Sequence, residues 1–178
     1  MIYVFLAPGF EEIEAVAVVD ILRRAHLQVK TVGVPDRAVR GAHGIIVAAD
    51  LAAEEAVTDN LEMVILPGGM PGTLNLEHSE TVRDMVRFCA ENGKRICAIC
   101  AAPSVLGHMG LLQGKKATCF PGFESELTGA EFAKTAVCRD GNLITANGPG
   151  SAIPFAIEIV AELCGREQAD ALRAGVQW

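Results

Sequence analysis

The chain has 178 residues, 51% of them hydrophobic and 21% charged, which suits one globular domain spanning residues 1–178 and argues against disorder. A formal net charge of −7 gains nothing from phosphate neutralisation, so no nucleic-acid partner is expected. No apolar run approaches the ~18 residues of a spanning helix, so no membrane partner is expected either.

Taken in chain order, Ile2 to Leu6 is an uncharged apolar run that suits a strand buried on both faces. The apolar start turns acidic at once and lacks a basic leader, so it reads as a strand and not as a signal peptide. Pro8-Gly9 breaks the run. A helix is predicted from Glu11 to Ala25, with Glu11, Glu12 and Glu14 in its first turns and Arg23-Arg24 in its last, a polarity that matches the helix dipole. Strands are predicted over 28–34, 45–47, 63–66 and 95–99. Val82, Met85, Val86 and Cys89 mark one face of a helix ending near Gly93. Lys116 to Thr118 reads as a short strand. Residues 136–139 and 143–145, joined through Asp140-Gly141-Asn142, read as a hairpin. Ser151 is expected to cap a final long helix closed by Gly165. Strands alternating with helices specify an α/β fold with a mainly parallel sheet, and such sheets place ligands at the carboxyl ends of their strands.

Three strand ends carry unusual residues. Cys100 follows Ile96–Ile99 directly and precedes Ala101-Ala102-Pro103, a strand-to-helix junction of the nucleophile-elbow kind. A helix N-terminus aimed at the sulfur favours thiolate, whereas the plain alternative is a small buried hydrophobe. Cys97 lies three residues earlier, inside the strand and ~10 Å away in extended chain, too far for a redox pair with Cys100. Of the three carboxylates, Glu11 and Glu14 share a helical face and Glu12 points elsewhere. A carboxylate beside Cys100 would share one proton with it and donate to the thiolate. The plain alternative is three solvated partners of the helix dipole. Gly68-Gly69 ends a buried strand, where backbone N–H groups with that of Ala101 would make an oxyanion hole; a tight turn is the alternative. Asn147-Gly148-Pro149-Gly150 leads into the last helix and borders the same cleft. None of the four histidines sits next to Cys100, and their spacing suits no metal, so neither metal nor cofactor is expected. Six scattered cysteines read as reduced thiols, which points to a cytoplasmic setting.

These pieces together resemble the ThiJ/PfpI superfamily, specifically its parkinsonism-associated deglycase branch. The resemblance rests on Ala7 to Glu14, Val64 to Gly69, Ala98 to Pro103 and Gly148-Pro149-Gly150, in that order along essentially the whole chain. It implies a flavodoxin-like three-layer sandwich with helices on both faces and a small antiparallel hairpin, assembled as a homodimer. It implies that Cys100 is an oxidisable nucleophile, that Glu14 is its protonated partner, and that Gly69 and Ala101 supply backbone donors. Gly68, Phe120, Asn147, Gly148 and Pro149 would line the pocket. Cys119, on the segment bordering the cleft in relatives, is either a resolving thiol or a packed small residue. Ala101 stands where the protease-like branch has histidine, which argues against peptidase chemistry. Phe120 and Asn147 replace a histidine and an arginine of some relatives, and His43 matches a basic residue. The implied activity is cofactor-free glyoxalase or deglycase chemistry on small carbonyl compounds or glycated adducts. The alternative is a redox-sensing or chaperone-like dimer.

Overall fold

Alternate residues of β1, Ile2–Leu6, face opposite ways. Ile2, Val4 and Leu6 pack into one hydrophobic cluster, while Tyr3 and Phe5 pack into a second. A strand buried on both sides has no place for a charge, and this one lies inside a seven-stranded sheet. The computed structural model describes residues 1–178. After β1 come α1 (Glu12–Arg24), β2 (Val29–Gly33), β3 (Ala38–Arg40), β4 (Ile46–Ala48), β5 (Leu51–Ala52), β6 (Met63–Leu66), α2 (Gly72–His78), α3 (Glu80–Glu91) and β7 (Arg95–Ile99). The second half holds α4 (Pro103–His108), β8 (Lys116–Ala117), β9 (Glu131–Phe132), β10 (Val137–Asp140), β11 (Leu143–Ala146), α5 (Ala152–Cys164) and α6 (Arg166–Gly175). The main sheet runs β10-β11-β7-β6-β1-β2-β5, parallel throughout except for the β10–β11 hairpin.

Helices cover both faces. Val18, Ile21 and Leu22 of α1 join Phe155, Ile159 and Val160 of α5 in the first cluster. Leu76 of α2, Val82, Val86 and Cys89 of α3, and Val105 and Leu106 of α4 join the second. The expected three-layer, flavodoxin-like sandwich is therefore present.

Several details differ from the sequence reading. Residues 46–48 leave the main sheet to form an antiparallel pair with β3. β8 pairs with β9 in a separate two-stranded sheet. The Ser151 hydroxyl does not cap α5; it donates to Asn147 Oδ1 at 2.6 Å, because a single 3-10 turn over Pro149–Ser151 precedes the helix. Gly165 does close α5, with φ 91°, yet the chain continues into α6, which buries Ala169 against the first cluster.

Candidate functional site

The carboxyl ends of β6 and β7 meet the first turns of α1. Cys100 follows β7 and adopts φ 66°, the left-handed region that costs an ordinary residue ~1–2 kcal/mol. Neighbouring backbone holds it there. Its N–H donates to the Ala146 carbonyl at 2.8 Å, and its own carbonyl accepts the Phe120 N–H at 2.7 Å. The chain then turns through Ala101-Ala102 into α4, with Pro103 in the first turn, where its missing N–H costs nothing. The elbow foreseen from the sequence is present, and the nearby backbone N–H groups of Ala101 and Gly69 favour the ionised sulfur.

Glycine at position 68 is what lets these elements meet. A Cβ there would stand 2.6 Å from Cys100 Cβ and 2.9 Å from Glu14 Oε2. Gly69 has φ 91°, and a side chain on it would collide with the Gly9 carbonyl. The two segments bond reciprocally: the Glu11 N–H donates to the Gly68 carbonyl at 2.9 Å, and the Gly68 N–H donates to Glu14 Oε2 at 2.7 Å. Glu14 is 1% exposed, and its Oε1 has no hydrogen-bond partner. A buried, half-satisfied carboxyl beside a thiol favours its neutral form. Burial pushes Glu14 up to about 7, against the pull of the Gly68 N–H.

Cys100 departs from the sequence expectation of a lowered pKa. Burial, then the adjacent Glu14 carboxylate, push the thiol up to about 12, and the Ala101 and Gly69 N–H groups offset only part of this. The two groups titrate as a pair, which holds a single proton between those two values.

The other carboxylates have different work. Glu12 does point elsewhere, as the helical spacing implies: its side chain is buried and accepts the His43 N–H at 2.8 Å, with His43 Nδ1 2.9 Å from its second oxygen. Burial opposes its ionisation, but the hydrogen bonds from His43 outweigh this and hold it below the ordinary glutamate range. Glu11, Glu12 and His43 bring one ligand atom each within 4.8 Å of one another, the one grouping that could hold a divalent cation; ion pairing accounts for it without one. Periodicity gave no signal for this loop latch, since its partners lie 31 positions apart.

Phe120 is 41% exposed, and its ring lies against Gly148, 3.1 Å from where a Cβ would sit. Pro149 opens the 3-10 turn. Asn147 lines a neighbouring cavity of about 490 Å³ that does not include Cys100. Cys119 is 2% exposed and packs in the cluster on the opposite sheet face from Cys100, and burial pushes its thiol up to about 11. Cys97 is sealed inside β7 and burial raises its pKa strongly. All six cysteines are free.

Comparison with known proteins agrees with this geometry. Residues 1–162 match the model of the DJ-1/PfpI family. The chain is 36% identical to Protein dj-1beta of Drosophila melanogaster, over 97% of this chain and 94% of that one. It is 32% identical to the glutathione-independent glyoxalase DJR-1.2 of Caenorhabditis elegans, over 91% of this chain and 87% of that one. The oxidized DJ-1 of Toxoplasma gondii superimposes with a TM-score of 0.96 at 35% identity, covering 99% of this chain and 97% of that one. No helix here is long and apolar enough to cross a membrane. The chain thus belongs to the DJ-1/PfpI family, whose members include glyoxalase-type enzymes.

Proposed function

We propose that Cys100 and Glu14 form the catalytic pair of a cofactor-free glyoxalase acting on 2-oxoaldehydes, with related activity on their glycated adducts. The observation that carries this reading is a neutral-leaning carboxyl, buried against a thiol at a strained elbow. The Cys100 sulfur adds to the aldehyde carbon as its proton passes to Glu14, and the former aldehyde oxygen takes a proton from Glu14, giving a hemithioacetal and leaving Glu14 ionised. The Glu14 carboxylate next removes the hydrogen on that carbon as a proton, forming an enediolate, and returns it to the adjacent carbon, while the hydroxyl proton of the first carbon passes to the oxygen of the second. The first carbon is thereby oxidised to a thioester and the second reduced to an alcohol. Water hydrolyses the thioester, releasing a 2-hydroxy acid and the thiol. The Gly69 and Ala101 N–H groups, which favour the ionised sulfur, serve as the donors for the negative charge that develops on the substrate oxygen in this reading. Gly68, Phe120, Gly148 and Pro149 wall the approach.

The assay is lactate formation from methylglyoxal without glutathione. Turnover that falls at least ~100-fold in Cys100→Ser supports the reading, and lactate formation by that variant at the wild-type rate contradicts it.

A second reading, an oxidation-sensing stress-response dimer, is favoured by the similarity to a relative described as oxidized. Ile13 and Val16 of α1 are 58% and 50% exposed, with Ile45 and Ile46 exposed on the adjoining loop and strand. Such an apolar surface suits a homodimer. Light scattering at micromolar concentration distinguishes dimer from monomer.

A further inference from the structure

We propose that the cavity beside Asn147 is a second binding site, separate from the Cys100 thiol, for a small apolar monocarboxylate. The cavity measures about 490 Å³, within the range of sites for small organic ligands. It opens at the carboxyl end of β8 and β11, the same sheet end as the elbow. Its walls are Thr118, Cys119 and Pro121 on one side, Lys134 and Thr135 on another, and Asn147 at the end of β11, with Glu124 and Phe132 at its edge.

Two nitrogen donors on these walls have no protein partner, whereas Thr118 and Thr135 bond each other and Glu124 accepts the Gly122 N–H. Lys134 makes no ion pair, although Lys115 and Lys116 nearby pair with Asp140 and Glu131. Asn147 commits its Oδ1 to the Ser151 hydroxyl, which fixes the amide and leaves both N–H groups of Nδ2 free. An ammonium and a fixed amide donor together present a carboxylate with a charge-assisted contact and a neutral one. Pro121, Cys119 and the 41%-exposed Phe132 ring offer the apolar surface for the rest of the molecule. Glu124 on the same wall repels any anion and a dianion about twice as strongly, so Lys134 and the Asn147 amide must outweigh it for a single carboxylate and do so less for a dicarboxylate or a phosphate.

Occupancy has a route to the thiol. The Phe120 N–H, between the wall residues Cys119 and Pro121, bonds the Cys100 carbonyl. The Cys100 N–H bonds the carbonyl of Ala146, whose neighbour Asn147 is the wall on the other side. An occupant therefore braces both backbone segments that hold Cys100 in its strained conformation.

The test is a ¹⁵N NMR titration with 3-phenylpropanoate, its neutral amide 3-phenylpropanamide, and glutarate as the dianion. The expected result is saturable shifts at Thr118, Cys119, Thr135 and Asn147 with 3-phenylpropanoate, at least ~10-fold weaker binding of the amide and of glutarate, and a similar loss in Lys134→Gln. Cys100→Ser should bind as the wild type does, so the result stands or falls independently of glyoxalase turnover. No saturable shift at these residues, or equal binding by Lys134→Gln, overturns the proposal.

Discussion

The Gly68 N–H donates to Glu14 Oε2 at 2.7 Å, and that bond selects which of three clustered carboxylates meets the thiol. Glu11 starts the helix, Glu12 turns away to hold His43, and Glu14 alone is drawn under the end of β6. Its second oxygen has no partner, so the cheapest way to keep the group buried is to leave a proton on it.

Stability should record that proton. Glu14 is raised from 4.5 to about 7, so the native state holds a proton that the unfolded chain has released. Its contribution is fully present below pH 4.5 and is lost as pH rises through about 7. Glu14→Gln cannot ionise and escapes the loss. Denaturant melts should find the variant gaining on the wild type between these pH values, by up to ~3 kcal/mol, and level thereafter. A pH-independent difference would mean that Glu14 folds as an ordinary carboxylate.

Gly68→Ala tests the contact directly. The new methyl would lie 2.6 Å from Cys100 Cβ, and backbone at Ile99 lies 3.0 Å away, so the thiol and carboxyl must separate. Cys100 alkylation by limiting iodoacetamide, followed by peptide mass spectrometry, should lose its dependence on a group titrating near 7 while the fold persists. An unchanged pH profile would show the contact to be irrelevant.

Much of this site was legible in the sequence because its parts are local. An uncharged strand running into Cys100-Ala101-Ala102-Pro103 specifies an elbow, and Gly68-Gly69 after Val64–Leu66 specifies close backbone approach. Helical spacing correctly separated Glu14 from Glu12 but could not say what Glu12 faces, since the answer is a loop 31 residues away. The thiol's ionisation was misjudged for a similar reason. Helix position is visible in sequence, whereas burial and the Glu14 charge that outweigh it exist only in the fold. Likewise α6 follows a glycine stop that reads as an end, and only packing of Ala169 explains why the chain coils again.

His108 supplies a second pH-dependent contact, distant from chemistry. Its Nδ1 lies 2.6 Å from Glu77 and its Nε2 2.9 Å from Glu126, which join α2, α4 and the turn at Glu124–Glu126. Glu126 and then Glu77 raise its pKa above 6.5. A raised histidine stabilises fully below its unfolded pKa and loses that contribution as pH rises through the folded value. The melting-temperature gap between wild type and His108→Gln should be present at pH 6 and shrink by pH 9. A gap that widens would reverse the assignment.

Cys119 should behave as packing. It and Cys100 belong to clusters on opposite faces of the sheet, so a bridge would require one side chain to cross the strand end. After substoichiometric peroxide, mass spectrometry should recover oxidised Cys100 without a Cys100–Cys119 peptide, and Cys119→Ser should leave that pattern unchanged. Recovery of the cross-linked peptide would make Cys119 a resolving thiol.

The central claim is that one thiol and one carboxyl act as a unit, and kcat/KM for glutathione-free lactate formation across pH measures it most directly. The wild type should turn over with a profile governed by an ionisation near 7, and both Cys100→Ser and Glu14→Gln should lose at least ~100-fold. Lactate formation that survives either substitution at the wild-type rate would contradict it.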